Sequence, residues 1–355
     1  SFSCNFMRIY HRHKFRLILI GDCNQLPPIG TGSFFTELIN SERVPIYYLT
    51  QNKRMVKQND KMTILKNANG LIDEKRNKKI PYSFETNDGF YVLERGIEYC
   101  ENILHAFKNK GLNHRDVTII TPFNKEIDML VGYHQDIFLA EERNRTFNNK
   151  KFYIGDRVMQ TKNVYSDSVD LMNGEEGEVI EMNEEVLIVD YGNNKIVEYL
   201  WSAKPEKNKK KEKEETKERE EFYITELKHS FCKTVHKSQG SEYKYVILYI
   251  PRNMSGFLNV NLLYTAITRT KEKIWIVGDR DTLDFATIRF LPMRYENLAN
   301  RLKEMKQEDE SIIPNTKKKE IEIENDETVL TNDDIWDYDY DVENLPQEMI
   351  EYYDY

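Results

Sequence analysis

The chain has 355 residues, with 51 Lys+Arg against 60 Asp+Glu for a formal net charge of −9, and 39% of it is hydrophobic; that length admits two or three globular domains with a sizeable core. No run approaches the roughly 18 to 20 apolar residues that span a bilayer, and the basic, aromatic opening SFSCNFMRIYHRHKF lacks a signal-type apolar core. An intracellular protein with no membrane partner is therefore expected, without a choice between cytoplasm and nucleus. Cys4, Cys23, Cys100 and Cys232 stand far apart and fit neither a disulfide framework nor a C-x-x-C metal pair, which predicts reduced thiols and no metal site in this chain.

The acidic balance is local. Residues 306 to 355 hold 17 acids and 4 bases, leaving 43 acids and 47 bases, net +4, in the body. A mildly basic body is compatible with a phosphate-backbone partner but does not by itself select one.

In chain order, the apolar run Leu17 to Ile20 reads as the central strand of a sheet with nothing before it to pair with, so the chain looks truncated at its start. It ends in GDCNQLPPIGTG, whose Gly and Pro forbid continued helix or strand, and SFFTELI resumes with helical spacing. VPIYYLTQNKR gives a strand then a loop, Asp60 to Ala68 a helix, Glu98 to Asn109 a helix with Ile103, Leu104 and Phe107 on one face, and DVTIITPFN a buried strand ending at Pro122. Alternating strand and helix suggests a parallel α/β sheet. Between Phe152 and Trp201 the pattern changes to short strands punctuated by Gly, as in an inserted antiparallel barrel. The next stretch, residues 204 to 221, has 15 charged positions of 18, 8 basic and 7 acidic, and reads as a solvated linker. The α/β pattern returns with FCKTVHKSQGSEYKYVILYIP, the helix LLYTAITRT, the strand KIWIVGD and a last helix to about Lys306, and the acidic tail is expected to be disordered.

Several polar groups stand where such a sheet meets ligands. Gln25, in a proline-stiffened loop after Asp22, can orient water or touch a phosphate oxygen from the carboxyl edge of a strand, although a plain turn explains the string equally well. Arg54 and Arg269 carry guanidinium groups suited to phosphoryl oxygens, but a lone Arg is more often a surface ion pair. In KTVHKSQGSE, hydroxyl, imidazole, ammonium and amide cluster around a Gly after a strand, a concentration of donors that suits a phosphate-rich ligand.

In order, these segments resemble the motifs of superfamily 1 helicases. GDCNQLPPIGTGSFF is similar to motif III, LTQNKR to the arginine-bearing motif IV, KTVHKSQGSE to motif V and LLYTAITRTKEKIWIVG to motif VI. FYIGDRVMQTKNVYSDSVDLMNGEEGEV resembles the lead into the SH3-like insertion of the RecD/TraA-like, 5′-to-3′ branch; the chain also resembles a UvrD-like helicase C-terminal domain, but the UvrD-like branch, which shares motif IV, is less favoured because its motif V usually reads differently. The resemblance covers about Arg16 to Asp281 and implies an ATP-driven motor that grips single-stranded DNA. It implies the following organisation: residues 1–55 end a first RecA-like domain, 56–151 begin a second, 152–202 form an inserted SH3-like barrel, 203–221 a charged linker, 222–305 the rest of the second domain, and 306–355 a disordered acidic tail. It also implies roles, position by position. Gln25, Arg54 and Arg269 face the γ-phosphate of ATP, while Gly21, Asp22, Gly240 and Glu242 shape the nucleotide site. Thr121, Pro122, Thr234 and His236 face DNA.

The departure from the family is that no Walker A G-x-x-x-x-G-K-[ST] and no DE-type Walker B strand occurs; both precede motif III in the family. The ligands of Mg2+ are therefore expected upstream, in a missing amino-terminal ATPase half, and this chain alone is expected neither to hydrolyse ATP nor to unwind DNA. The competing expectation is a degenerate single-stranded DNA-binding module without ATPase activity. In the tail, Met349, Tyr352 and Tyr353 have the apolar-x-x-aromatic-aromatic spacing of sliding-clamp peptides, with Pro346 where those peptides carry Gln; a solubilising tail is the simpler expectation.

Overall fold

The computed structural model describes residues 17–27, 32–49, 61–87, 89–165, 169–203, 221–252, 256–291, 298–304 and 319–321. The chain divides into two compact units, one from residues 1–56 and 291–355, the other from residues 57–290. No helix among the described residues is long and apolar enough to cross a membrane.

In the smaller unit, helix α1 (Phe34–Ser41) ends where Glu42 turns into the left-handed region at φ 56. Glu37 is buried and its carboxylate accepts the Ala299 amide at 2.9 Å, while Arg43 donates to the Lys303 carbonyl at 2.9 Å. These two contacts fix α1 against the helix Leu298–Glu304. Strand β1 (Tyr47–Leu49) pairs in parallel with Lys319–Ile321; those three residues of the tail, expected to be disordered, are therefore in a strand. The expected strand at Leu17 to Ile20 is not one: this segment has no ladder among the described residues, and Ile18 and Ile20 are 70% and 87% exposed. Apolar, β-branched composition supplies propensity, but a strand exists only with a partner for its amides and carbonyls.

The larger unit is an α/β layer structure with an insertion. Its elements are α2 (Lys61–Ile72), β2 (Phe90–Glu94), α3 (Glu98–Asn109), β3 (Val117–Thr121) and α4 (Ile127–His134), and then, past the insertion, β14 (Cys232–Thr234), β15 (Tyr243–Ile250), α5 (Val260–Ile267), β16 (Thr270–Gly278) and α6 (Arg280–Ile288). The five strands make one all-parallel sheet in the order β14-β3-β15-β16-β2. Because helices cover both faces, β3 and nearly all of β15 are buried, and their sequences VTIIT and YKYVILYI read as apolar runs rather than alternations. Alternate residues still part by face. Val117, Ile119, Tyr245 and Ile247 join Cys100, Leu104, Phe107 and Leu130 of α3 and α4 in one core, whereas α2 and α5 pack on β16. Asn259 and Asp279 cap α5 and α6 by accepting the amides of Leu262 and Thr282 at 3.0 and 3.1 Å.

The insertion begins with a hairpin of β4 (Asn144–Phe147) and β5 (Lys150–Tyr153), turned by Asn148 and Asn149 at φ 47 and 63. It continues through β6 (Arg157–Gln160), the short pair β7 (Val164–Tyr165) and β8 (Asp170–Leu171), then β9 (Glu176–Met182), β10 (Val186–Asp190) and β11 (Ile196–Leu200). After residue 220 the chain returns as β12 (Phe222–Tyr223) and β13 (Leu227–His229), giving a six-stranded sheet ordered β12-β11-β10-β9-β6-β13. The inserted sheet thus takes in residues 222–229, which sequence reading gives to the α/β body. Phe222, Ile224 and Leu227 bury themselves in its core with Val158, Leu187 and Tyr199, and β12 and β13, only two and three residues long, are its edge strands.

Candidate functional site

The carboxyl edge of the parallel sheet gathers the residues expected on the nucleic-acid side. Thr121 and Thr234 end neighbouring strands and stand opposite each other in the register. The Val235 amide donates to the Thr121 carbonyl at 3.0 Å, which turns the chain into the short helical turn His236–Ser238. Thr121 is fully buried, and its Oγ1 has no hydrogen-bond partner among the described residues. Thr234 Oγ1 accepts the Lys237 amide at 3.4 Å. Pro122 is buried directly after Thr121. Burial lowers the pKa of His236, so near neutral pH its imidazole is an uncharged ring. The structure adds two rings that sequence reading did not single out: Phe123, next to Pro122, and Phe257, from the loop after β15, whose centroids are 5.0 Å apart. Phe257 also lies 6.1 Å from His236. These rings are up to 134 positions apart in the chain, and only their places after strand ends hint at a common location.

The rest of this loop leads to Arg269. Gly240 has φ 83, and a Cβ there would meet nothing within 4 Å, so the backbone conformation alone selects glycine. The Arg269 guanidinium donates to the Ser241 carbonyl and, from Nε, to the Thr265 carbonyl, both at 3.1 Å, while its own carbonyl accepts the Tyr243 amide. Buried by these contacts, Arg269 ties α5 to the end of the 234–242 loop. Glu242 forms an ion pair with Lys271 at 3.5 Å.

Glu176, on β9 of the insertion, reaches this loop from the other side. Its Oε1 accepts Lys233 Nζ at 2.5 Å and Tyr243 Oη at 3.2 Å, and its Oε2 accepts Arg157 at 3.2 Å. Arg157 also donates to the Val117 carbonyl at 3.0 Å and Thr118 Oγ1 at 3.1 Å. Lys233 and Tyr243 immediately flank residues 234–242, so one carboxylate holds both ends of the loop. Burial pushes the Lys233 ammonium down to about 8 even with Glu176 beside it. Burial alone would raise Glu176, but Lys233 and Arg157 outweigh it and hold the carboxyl below its usual range. A cleft of about 590 Å³ runs along this junction, lined by Arg157, Glu176, Ser241 and Glu242 among others.

In the smaller unit, Asp22 organises the loop that carries Gln25. Its carboxylate accepts the Asn24 amide at 2.9 Å and the Gln25 side-chain amide at 3.3 Å, and its carbonyl accepts the Gln25 backbone amide at 3.3 Å. A Cβ on Gly21 would sit 3.0 Å from the Phe35 ring, so glycine allows α1 to pack close to the loop. Arg54, Met349, Tyr352 and Tyr353 lie outside the described residues. Among the described residues no group of three or more His, Cys, Asp or Glu is placed to hold a metal ion.

Three comparisons show what this chain is similar to. Residues 229–277, which include β14, the 234–242 loop and Arg269, match the UvrD-like helicase C-terminal domain. The chain is 26% identical over 295 residues to the ATP-dependent RecD2 DNA helicase of Deinococcus radiodurans, covering 81% of this chain and 36% of that protein. It is 26% identical over 231 residues to the RecBCD enzyme subunit RecD of Haemophilus influenzae, covering 60% of this chain and 28% of the subunit. The chain therefore spans about a third of the length of these relatives. Among solved structures, the Pif1 helicase from Bacteroides in complex with ADP-AlF3 and ssDNA is similar at 17% identity and a TM-score of 0.36, covering 80% of this chain and 65% of that one. The chain is thus a homologue of RecD and RecD2 helicases that matches the UvrD-like helicase C-terminal domain over residues 229–277.

Proposed function

We propose that this chain is the carboxyl-terminal part of an ATP-dependent DNA helicase that translocates 5′ to 3′ on single-stranded DNA in DNA repair, recombination or replication. The observation that carries this reading is the convergence of Thr121, Pro122, Thr234 and His236 on one sheet edge, joined through the 234–242 loop to Arg269. On this reading the parallel sheet is the second RecA-like domain, the inserted sheet is its SH3-like barrel, and residues 1–55 end the first RecA-like domain. Thr121, Pro122, Thr234 and His236 face the DNA backbone. Gly21 and Asp22 shape the loop that presents Gln25, and Gly240 and Glu242 shape the loop joined to Arg269.

On this reading the Mg2+-ATP site is not completed by this chain alone, since its sequence carries no Walker A lysine loop. Gln25, Arg54 and Arg269 are the groups this chain would add to a nucleotide site whose phosphate cradle belongs to an upstream ATPase half, and no hydrolytic step is assigned to them alone. The test uses the purified 355-residue chain and the product of the whole gene. The chain should bind single-stranded DNA, with an affinity that falls steeply with salt, and show no DNA-stimulated ATPase. The whole product should show that activity and lose most of it with Arg269→Ala. DNA-stimulated turnover by the chain alone would refute the division of labour, and full turnover by the Arg269 variant would refute its role.

A further inference from the structure

Glu176 opens β9 of the inserted sheet, yet two of the three partners of its carboxylate lie in the parallel sheet. Lys233 stands in the middle of β14, one residue before Thr234, and is 1% exposed. Tyr243 opens β15, and its amide donates to the Arg269 carbonyl at 2.9 Å. One Glu176 oxygen accepts from both, from Lys233 Nζ at 2.5 Å and from Tyr243 Oη at 3.2 Å, and the Lys233 ammonium lies 5.0 Å from the centre of the Tyr243 ring. A single residue therefore separates this oxygen from Thr234 on one side and from Arg269 on the other.

Other contacts hold the insertion to the body. Arg157 of β6 donates to the Arg115 and Val117 carbonyls at 3.2 and 3.0 Å, and Arg115 pairs with Glu178, all at the start of β3 and outside the 234–242 loop. Packing does not call for a lysine in β14 either. Taking two charges out of water costs about what their attraction returns, and apolar residues of similar volume serve stability equally well. What the ion pair adds over apolar contact is direction, because Lys233 Nζ and Tyr243 Oη must both stay within hydrogen-bond reach of one oxygen.

We propose that Glu176 is a positioning residue through which the insertion ties Thr234 to Arg269, so that a strand bound at Thr234 sets the place of the Arg269 guanidinium. The proposal rests on the function proposed above and adds a task for the insertion within it. Glu176 acts through Lys233 and Tyr243 and needs no contact with strand or nucleotide. Cutting either link uncouples strand binding from turnover while leaving the groups of both sites in the chain.

The experiment measures ATP turnover by the product of the whole gene with and without the oligothymidylate dT12, and its binding of dT12 by fluorescence anisotropy. The ratio of stimulated to basal kcat does not depend on how much of a preparation is folded, so it separates positioning from stability. Tyr243→Phe removes one hydroxyl and keeps the Glu176–Lys233 pair. It should lower the stimulated kcat roughly 10-fold, within the roughly 100-fold that a misplacement of about 1 Å can cost, and leave basal kcat, KM for ATP and dT12 affinity unchanged. Lys233→Met, which cuts the other link, should give the same pattern. Glu176→Gln combined with Lys233→Met removes the buried charge that Glu176→Gln alone leaves unpaired, and should recover urea stability but not the ratio. Glu178→Gln, at the same junction but outside the loop, should keep the wild-type ratio. A wild-type ratio in Tyr243→Phe or in Lys233→Met, a recovered ratio in the combined variant, or a lowered ratio in Glu178→Gln overturns the positioning role while leaving the proposed function intact. A whole product whose turnover dT12 does not stimulate overturns both.

Discussion

Glu176 illustrates how much one side chain can set in this fold. Removing its carboxylate leaves Lys233 buried without its partner and frees Tyr243 and Arg157 on the same side. Glu176→Ala is expected to cost about 3 kcal/mol in urea unfolding, at the lower end for a broken buried pair because Glu176 keeps some solvent contact. Amide exchange within 234–242 should accelerate more than elsewhere. Glu176→Gln keeps the shape and part of the hydrogen bonding and should recover much of that protection; an equal, uniform acceleration in both variants would reduce Glu176 to ordinary packing. The titrations give an independent check. The folded-state pKa of Glu176 is depressed, so its contribution is complete above about pH 4.5 and is lost as pH falls below that, and the gap between wild type and Glu176→Gln should shrink in acid. Lys233 is also depressed in the folded state, so between about pH 8 and 10.5 the unfolded chain binds more protons and stability rises with pH. Lys233→Met should remove that rise, and a urea midpoint followed across this range checks it.

At the scale of elements, the parallel strands were the most legible part of the chain, because a strand buried on both faces is written as a continuous apolar run such as VTIIT or YVILYI. The helix Glu98–Asn109 was equally plain from its one apolar face. The inserted sheet was harder to delimit: its last two strands come after the charged linker, and neither FY nor LKH is long enough to show a period. Leu17 to Ile20 failed the other way, with strong strand composition and no partner among the described residues. At the site, the sequence pointed to the 234–242 loop through its density of donors, but Glu176 and Phe257 reach that loop from distant elements, and only the fold shows them as neighbours. Close approach between strands is equally invisible in a sequence. Gly278 ends β16 where an added Cβ would stand 2.3 Å from the Ile250 carbonyl oxygen and 2.8 Å from its Cβ. Neither backbone can yield without parting β15 from β16, so Gly278→Ala is expected to destabilise by about 2 kcal/mol or more. Gly240→Ala should cost only about 1 kcal/mol, since its neighbourhood is open and the left-handed backbone is the sole obstacle. Thermal melts of the two variants should rank in that order, and the reverse order would contradict the packing between β15 and β16.

For the molecule as a whole, the distribution of charge bears on the same function. Residues 322–355 contain 13 acids and no base, whereas residues 306–321 hold four of each, so the whole negative excess of the tail lies past the short strand Lys319–Ile321. Ending the chain after Ile321 changes its formal charge from −9 to +4 and keeps the residues that pair with β1. On the proposed reading, an anionic segment tethered to a nucleic-acid binder competes with phosphates for its cations and lowers the potential that draws a strand in. Both effects act through screened fields, over about 10 Å at 0.1 M salt and about 3 Å at 1 M. The shortened chain should therefore bind dT12 several-fold more tightly near 50 mM salt, the gain should come mainly from faster association, and it should fade as salt rises. Stopped-flow association across a salt series reads all three quantities. Equal association rates for both chains at low salt would show that the tail's acids do not oppose the strand, and a gain that persists at high salt would point to a contact other than charge.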